Sequence, residues 1–455
     1  MADMDITRPT RPLLLCAALL ASLDAAASCN FDGIDAALDN LIAADGIAGG
    51  AVIIGSAKGI LHEAYVGSFV DRNNNTVAYD VDAKVPLASA TKLLSGIRIL
   101  QLAGHGFVDL DTPVSHYLPA PAFPWDASAA PLTLRQLFSH TAGYGNDEND
   151  VYINNPYGTL YDSVVAIASH PDVAPQNYLP AGSRFAYGGV AMQIGGEVAQ
   201  MATAAQPSPY GGTESGDWQT DWQHDIGAPL CISSIDWQGI VATRNYRISG
   251  GAQSNLRDYA RVLAMLLDDG VGNGTRVLGA DAVATWKTSQ TGNAVPGCSN
   301  GCVPIAAIFQ TPAGGTYIDT QYSVGSWIEP LPENGGVSAA GKPVVSSIGK
   351  FGFAPWVDYA SGTFGILMVY DTGNSSETDP NAASVNSHVA MQKIIADATA
   401  GVRAQVPAGG TCASMLVYDN LFADGMEATP RAPRCPGLAT LPPAGASFPL
   451  QLLPR

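Results

Sequence analysis

The sequence predicts an α/β fold of the α+β kind, an antiparallel sheet flanked by helices with a mostly helical region inserted in it. Three observations carry this. Strand patterns stand near the N-terminus, at 51–56 and 60–67, and return after residue 300 at 305–309, 322–328, 344–347, 356–359 and 364–370. Helical patterns concentrate between them, so one sheet is made from both chain ends. The chain has 455 residues, 47% of them hydrophobic, enough for a large core.

The elements follow in order. Residues 34–43 form a short amphipathic helix. The strands 51–56 and 60–67 make a hairpin turned at Lys58-Gly59, and 71–75 is a polar turn. Leu93, Leu94, Ile97, Leu100 and Ala103 form a helical stripe that stops at Gly104 and Gly106. Residues 108–114 pin the end of that helix. Residues 115–250 are rich in Pro, Gly, Asn and Asp and hold short helices. There Thr133 and Gln136 make a capping box for 134–139, and Val190, Ile194, Val198 and Met201 share one side of a helix over 189–202. Another helix covers 256–267, and 389–400 is a closing helix. Residues 402–455 are rich in Pro and Gly and read as an appended tail after a domain spanning 29–401.

Only 14% of residues are charged and the net charge is −18, which opposes nucleic-acid or anionic-membrane partners. Arg8 and Arg11 precede the apolar run 13–20, followed by Ala25-Ala26-Ala27-Ser28. Residues 1–28 therefore read as a signal peptide, the run being too short to span a bilayer, and the expected location is secreted or periplasmic in a bacterium. Removing this leader takes Cys16 and leaves cysteines 29, 231, 298, 302, 412 and 435, an even set that suggests disulfides in an exported protein. Cys298 with Cys302 and Cys412 with Cys435 can close short loops, which leaves Cys29 with Cys231 by elimination alone.

Ser89-Ala90-Thr91-Lys92 is the most informative tetrapeptide. A Ser and a Lys three apart at the start of a helix lie on one face, so the amine can reach the hydroxyl and take its proton. That predicts acyl transfer through a covalent Ser89 intermediate at a helix N-terminus, where developing negative charge is favoured. Capping the helix is the other use of a serine there. A second Ser-x-x-Lys, Ser347-Ile348-Gly349-Lys350, precedes turn and strand residues instead. Tyr187, delivered by a turn at the start of the 189–202 helix, is a second base candidate, or a tyrosine that packs a helix start.

The chain resembles the serine hydrolases of the class C β-lactamase and D,D-peptidase superfamily, including the family VIII carboxylesterases. Five segments match in order: 47–52, 85–92, the stretch Leu132-Thr133-Leu134-Arg135-Gln136-Leu137-Phe138-Ser139-His140-Thr141-Ala142-Gly143, 180–187, and 349–352 with 355–358. The resemblance covers roughly 34–400. It implies a β-lactamase/transpeptidase-like fold, Ser89 as the acylated nucleophile, and Lys92 and Tyr187 sharing the base and acid work. The backbone N–H groups of Ser89 and Lys350, the residue after Gly349, would hold the oxyanion. His140 would be structural.

The chain departs from the family pattern twice. The second motif usually reads Tyr-x-Asn; here it is Tyr187-Gly188-Gly189, with no amide to position the lysine. The third usually carries Lys, His or Trp two residues before its glycine; here it is Ser347-Ile348-Gly349, and Ser347 meets a substrate carboxylate only by hydrogen bonding. Both losses favour an ester over an amide as the small-molecule substrate. The alternatives are an amide-bond hydrolase of the same family (D-aminopeptidase, D,D-carboxypeptidase or β-lactamase), or a catalytically weak cell-wall-binding homologue. No nucleotide fingerprint, phosphate loop or zinc-spaced cluster occurs, so neither metal nor cofactor is expected, and nothing in the sequence sets the oligomeric state. The acidic run 146–150 is a solvated loop or a calcium site without EF-hand spacing. Trp218, Trp222 and Trp237 either line an acyl pocket or pack a loop-rich lobe.

Overall fold

The computed structural model describes residues 31–45, 47–144, 157–170, 180–239, 243–292, 294–296, 321–329 and 342–371, together with 399, 402 and 404. Its main sheet has eight strands: β1 (Gly49–Ser56), β2 (Gly59–Val70), β3 (Thr76–Ala78), β4 (Gln321–Tyr322), β5 (Trp327–Ile328), β6 (Val344–Ser346), β7 (Phe353–Asp358) and β8 (Thr363–Met368). Their order is β4-β5-β6-β7-β8-β1-β2-β3, antiparallel throughout. The two chain ends meet where β1 pairs with β8, Ala51 opposite Met368 and Ser56 opposite Thr363.

Strand β1 reads as an unbroken apolar run because both of its faces are covered. Ala51 and Ile53 pack into the larger core, which includes α8 (Leu256–Leu267). Val52 and Ile54 point the other way, onto Ile34 and Leu38 of α1 (Asp32–Asp45). Helix α2 (Thr91–Gly104) is buried from Thr91 to Leu102. Between it and α8 come α3 (Val114–Tyr117), α4 (Leu134–Phe138), α5 (Leu160–Ser169), α6 (Val190–Thr203) and α7 (Trp218–Trp222); α9 (Ala280–Trp286) follows α8. The capping box is present, with Thr133 accepting from the Gln136 N–H and Gln136 reaching back to Thr133.

Helix α2 is tied to the helical lobe by a buried ion cluster. Arg98 donates to Asp225 at 2.6 Å and to Glu214 at 3.1 Å. Burial pushes the Glu214 carboxyl well above the ordinary carboxylate range. Burial also works against Asp225, yet hydrogen bonds from His224 and Glu214 and the Arg98 charge hold it well below the ordinary carboxylate range.

The stretch expected as one strand over 322–328 is instead a tight hairpin, with Tyr322 opposite Trp327. Gly325 makes the turn at φ +77, and a Cβ there would stand 2.2 Å from the Lys92 carbonyl, so the turn presses directly on the first turns of α2. Several expectations fall outside the described residues: the leader 1–28, the acidic run 146–150, the strand 305–309, the closing helix apart from Thr399, which is helical, and the tail beyond 404. Every cysteine except buried Cys231 also lies outside them. Among the described residues no helix is long and apolar enough to cross a membrane.

Candidate active site

The lead-in to Ser89 is held as an edge. Val85 and Pro86 pair with Ser254 and Gln253, and the Leu87 N–H donates to the Ala252 carbonyl at 2.8 Å. Ala88 then takes a positive φ of +45 while buried, a conformation L-residues adopt only under constraint. The 3₁₀ turn Ala88–Ala90 runs into α2. No side chain caps either helix start, so the Ser89 hydroxyl is not engaged as a cap.

That hydroxyl meets Lys92. The Lys92 Nζ donates to Ser89 Oγ at 3.2 Å and to the Ser249 carbonyl at 2.9 Å. The Tyr187 ring lies over the same nitrogen, 4.7 Å from it to the centroid. Lys92 is buried, and Tyr187 is 8% exposed with a buried hydroxyl that has no partner among the described residues. Ser89, Lys92 and Tyr187, 98 residues apart at the extremes of their numbering (187 − 89), are therefore brought together.

Tyr187 is placed by the 139–143 loop. The Ala186 N–H donates to the His140 carbonyl at 2.8 Å, the Gly188 N–H to His140 Nδ1 at 3.4 Å, and the Gly182 N–H to the Thr141 carbonyl at 2.7 Å. His140 adopts a left-handed φ of +58 to serve both sides of Tyr187. Burial, reinforced by the Lys92 charge, holds its imidazole well below the usual histidine range, so it stays neutral. The Tyr187 ring stacks on Trp327 at 5.2 Å and tilts against His140 at 4.5 Å. An aromatic wall with Phe185 and Tyr322 thus fixes its plane.

The third predicted segment closes over Ser89. Ser347 Oγ donates to the Ser89 carbonyl at 2.9 Å. In this structure the hydroxyl therefore engages the Ser89 backbone. Gly349 sits so close to the lead-in that a Cβ would fall 2.2 Å from the Leu87 carbonyl, and its N–H donates to the Phe353 carbonyl at 2.8 Å. Only glycine permits that approach. The Lys350 ammonium lies 4.9 Å over the Phe351 ring.

Sequence reasoning missed two residues that support this arrangement. Ser249 supplies a carbonyl to Lys92 and belongs to no motif. Gln193, buried on α6, holds the segment before Ser249; a glutamine among the apolar positions of a buried helix was the available signal. The three tryptophans pack against one another, Trp218 and Trp222 at 5.7 and 5.1 Å from Trp237, and belong to the core. Among the described residues no His, Cys, Asp and Glu cluster could hold a metal ion.

Known proteins share this architecture. The family model described as Beta-lactamase matches residues 34–385. A solved Bacteroides dorei DSM 17855 protein assigned to the beta-lactamases superposes with a TM-score of 0.58 at 25% identity, covering 80% of this chain and 98% of that one. A family VIII carboxylesterase structure superposes with a TM-score of 0.52 at 16% identity, covering 80% and 97%. The D-alanyl-D-alanine-carboxypeptidase/endopeptidase AmpH of Escherichia coli (strain K12) is 29% identical over 140 residues, 30% of this chain; the match spans 36% of AmpH, about a third of its length. A family model that covers most of the chain leads to one assignment: the chain belongs to the beta-lactamase family.

Proposed function

We propose that this protein is an exported hydrolase that cleaves a small-molecule ester through an acyl-Ser89 intermediate. The observation that carries it is the contact of Lys92 Nζ with Ser89 Oγ at 3.2 Å, beneath the Tyr187 ring. Lys92 and Tyr187 together serve as the base that takes the Ser89 proton as Oγ attacks the ester carbonyl. The N–H groups of Ser89 and Lys350 receive the oxyanion at the entry to α2. As the carbonyl re-forms, the alcohol departs with a proton returned through Lys92 and Tyr187. A water then attacks the acyl group, gives its proton to the same pair and releases the acid and free Ser89.

The choice of an ester rests on two side chains. Gly189 offers no amide to a substrate amide. Ser347 stands where relatives place a Lys or His for a carboxylate, and its hydroxyl is engaged with the Ser89 carbonyl. A substrate that brings neither group loses nothing here. The leader-like sequence at 1–28 supports export.

The test incubates purified protein with a chromogenic short-chain ester, a chromogenic cephalosporin and a D-alanyl anilide, with intact mass followed in parallel. Ester turnover with a slow cephalosporin is expected. Turnover of the amides alone contradicts the ester assignment, and no turnover with no adduct leaves a binding protein.

A further inference from the structure

The second motif lacks its amide, yet Lys92 is held. We infer that Gln193 is the positioning residue that takes over this task, acting through the backbone rather than by touching the lysine. The inference rests on the acyl-Ser89 reading above. Gln193 lies four residues beyond Gly189, on the same face of α6 and one turn along, and is 0% exposed.

Both ends of its amide are used. Gln193 Oε1 accepts from the Ile248 N–H at 2.7 Å. Its Nε2 donates to the Tyr246 carbonyl at 3.0 Å and to Asn245 Oδ1 at 3.3 Å. The amide orientation is settled by these partners, since a backbone N–H only donates and a carbonyl only accepts. From the other side, Ser95 Oγ of α2 donates to the Ile248 carbonyl at 2.7 Å. Ile248, the residue before Ser249, is thus clamped at its N–H and its C=O, by α6 and α2 respectively. The next carbonyl, that of Ser249, is the one that accepts from Lys92 Nζ at 2.9 Å.

A lysine side chain has four rotatable bonds, and its nitrogen stays beside Ser89 Oγ only if a second fixed partner holds it there. The Ser249 carbonyl is that partner, and Gln193 fixes the strip that carries it. An asparagine at 189 would hold the amine directly; a glutamine at 193 holds the carbonyl that holds the amine.

The experiment compares parent protein with Gln193→Met, which keeps length and bulk but removes all three side-chain hydrogen bonds. A fluorophosphonate titrates reactive Ser89, and kcat and KM for the chromogenic ester are expressed per titrated site. We expect kcat to fall about 10- to 100-fold, a share of what a positioned base supplies, with KM changed less than about twofold. An unchanged kcat per titrated site, or a raised KM at constant kcat, overturns the inference. If Gln193→Met does not fold, Gln193→Glu decides by the same readouts. It retains the acceptor for the Ile248 N–H and loses the donor to Tyr246, and a kcat loss at constant KM is again required. A parent that takes no label sinks the acyl-Ser89 reading and this inference with it. A parent and variant that label and turn over alike sink the role of Gln193 alone.

Discussion

Ser347 lies against the backbone of Ser89. From the sequence its hydroxyl is a substrate ligand; in the structure it donates to the Ser89 carbonyl at 2.9 Å. Ser347→Ala leaves that carbonyl without this partner, at a cost of about 1–3 kcal/mol where it is buried. The expected outcome is a kcat lowered about tenfold with the acyl adduct still forming, as followed by turnover and intact mass. Loss of the adduct in Ser347→Ala would mean the wrong Ser-x-x-Lys was chosen. The choice between the two is physical: Ser89 precedes a helix that brings Lys92 back over it, whereas Lys350 lies over the Phe351 ring.

Helix α6 was legible as an element and misread in detail. Its apolar periodicity gives the bounds to within a residue, but the helix is buried almost all round, and Met201 on the expected inner side is exposed. Glu197 sits buried on this helix, with Gln200 Nε2 donating to it at 2.7 Å. Burial pushes its carboxyl up to about 7, against the Gln200 hydrogen bond and with help from Asp162. The folded state therefore holds a proton that the unfolded chain has released. Stability from this group is full below about 4.5 and is lost as pH rises toward 7. Glu197→Gln removes that loss. Its melting temperature should match the parent's near pH 4.5 and exceed it increasingly up to pH 7, by free energy on the order of 3 kcal/mol at most. Equal melting curves at pH 7.5 would contradict the burial argument.

In the molecule as a whole, the contacts that complete the site join distant parts of the chain. Lys92 and Ser249 are separated by 157 residues, and Ser347 and Ser89 by 258. What could be read was local: the hairpin of β1 and β2, the capping box at Thr133, the spacing of Ser89 and Lys92, and the apolar β1 that announces a covered strand. What could not be read depends on packing. The sequence holds no sign that Trp218, Trp222 and Trp237 face one another, that 322–328 folds back on itself against α2, or that a carbonyl at 249 awaits Lys92. Tyr187 is a candidate both from its place at a helix start and from the resemblance, and the 139–143 loop explains its position physically, through His140 bonded on both sides of the tyrosine.

The central claim is that Ser89 is acylated. The direct measurement is peptide mapping by mass spectrometry after rapid quench with a chromogenic ester, on the parent and on Ser89→Ala. The account predicts one acyl group on the peptide containing Ser89 in the parent and none anywhere in Ser89→Ala. An acyl group on Ser347, or turnover that survives in Ser89→Ala, would contradict it.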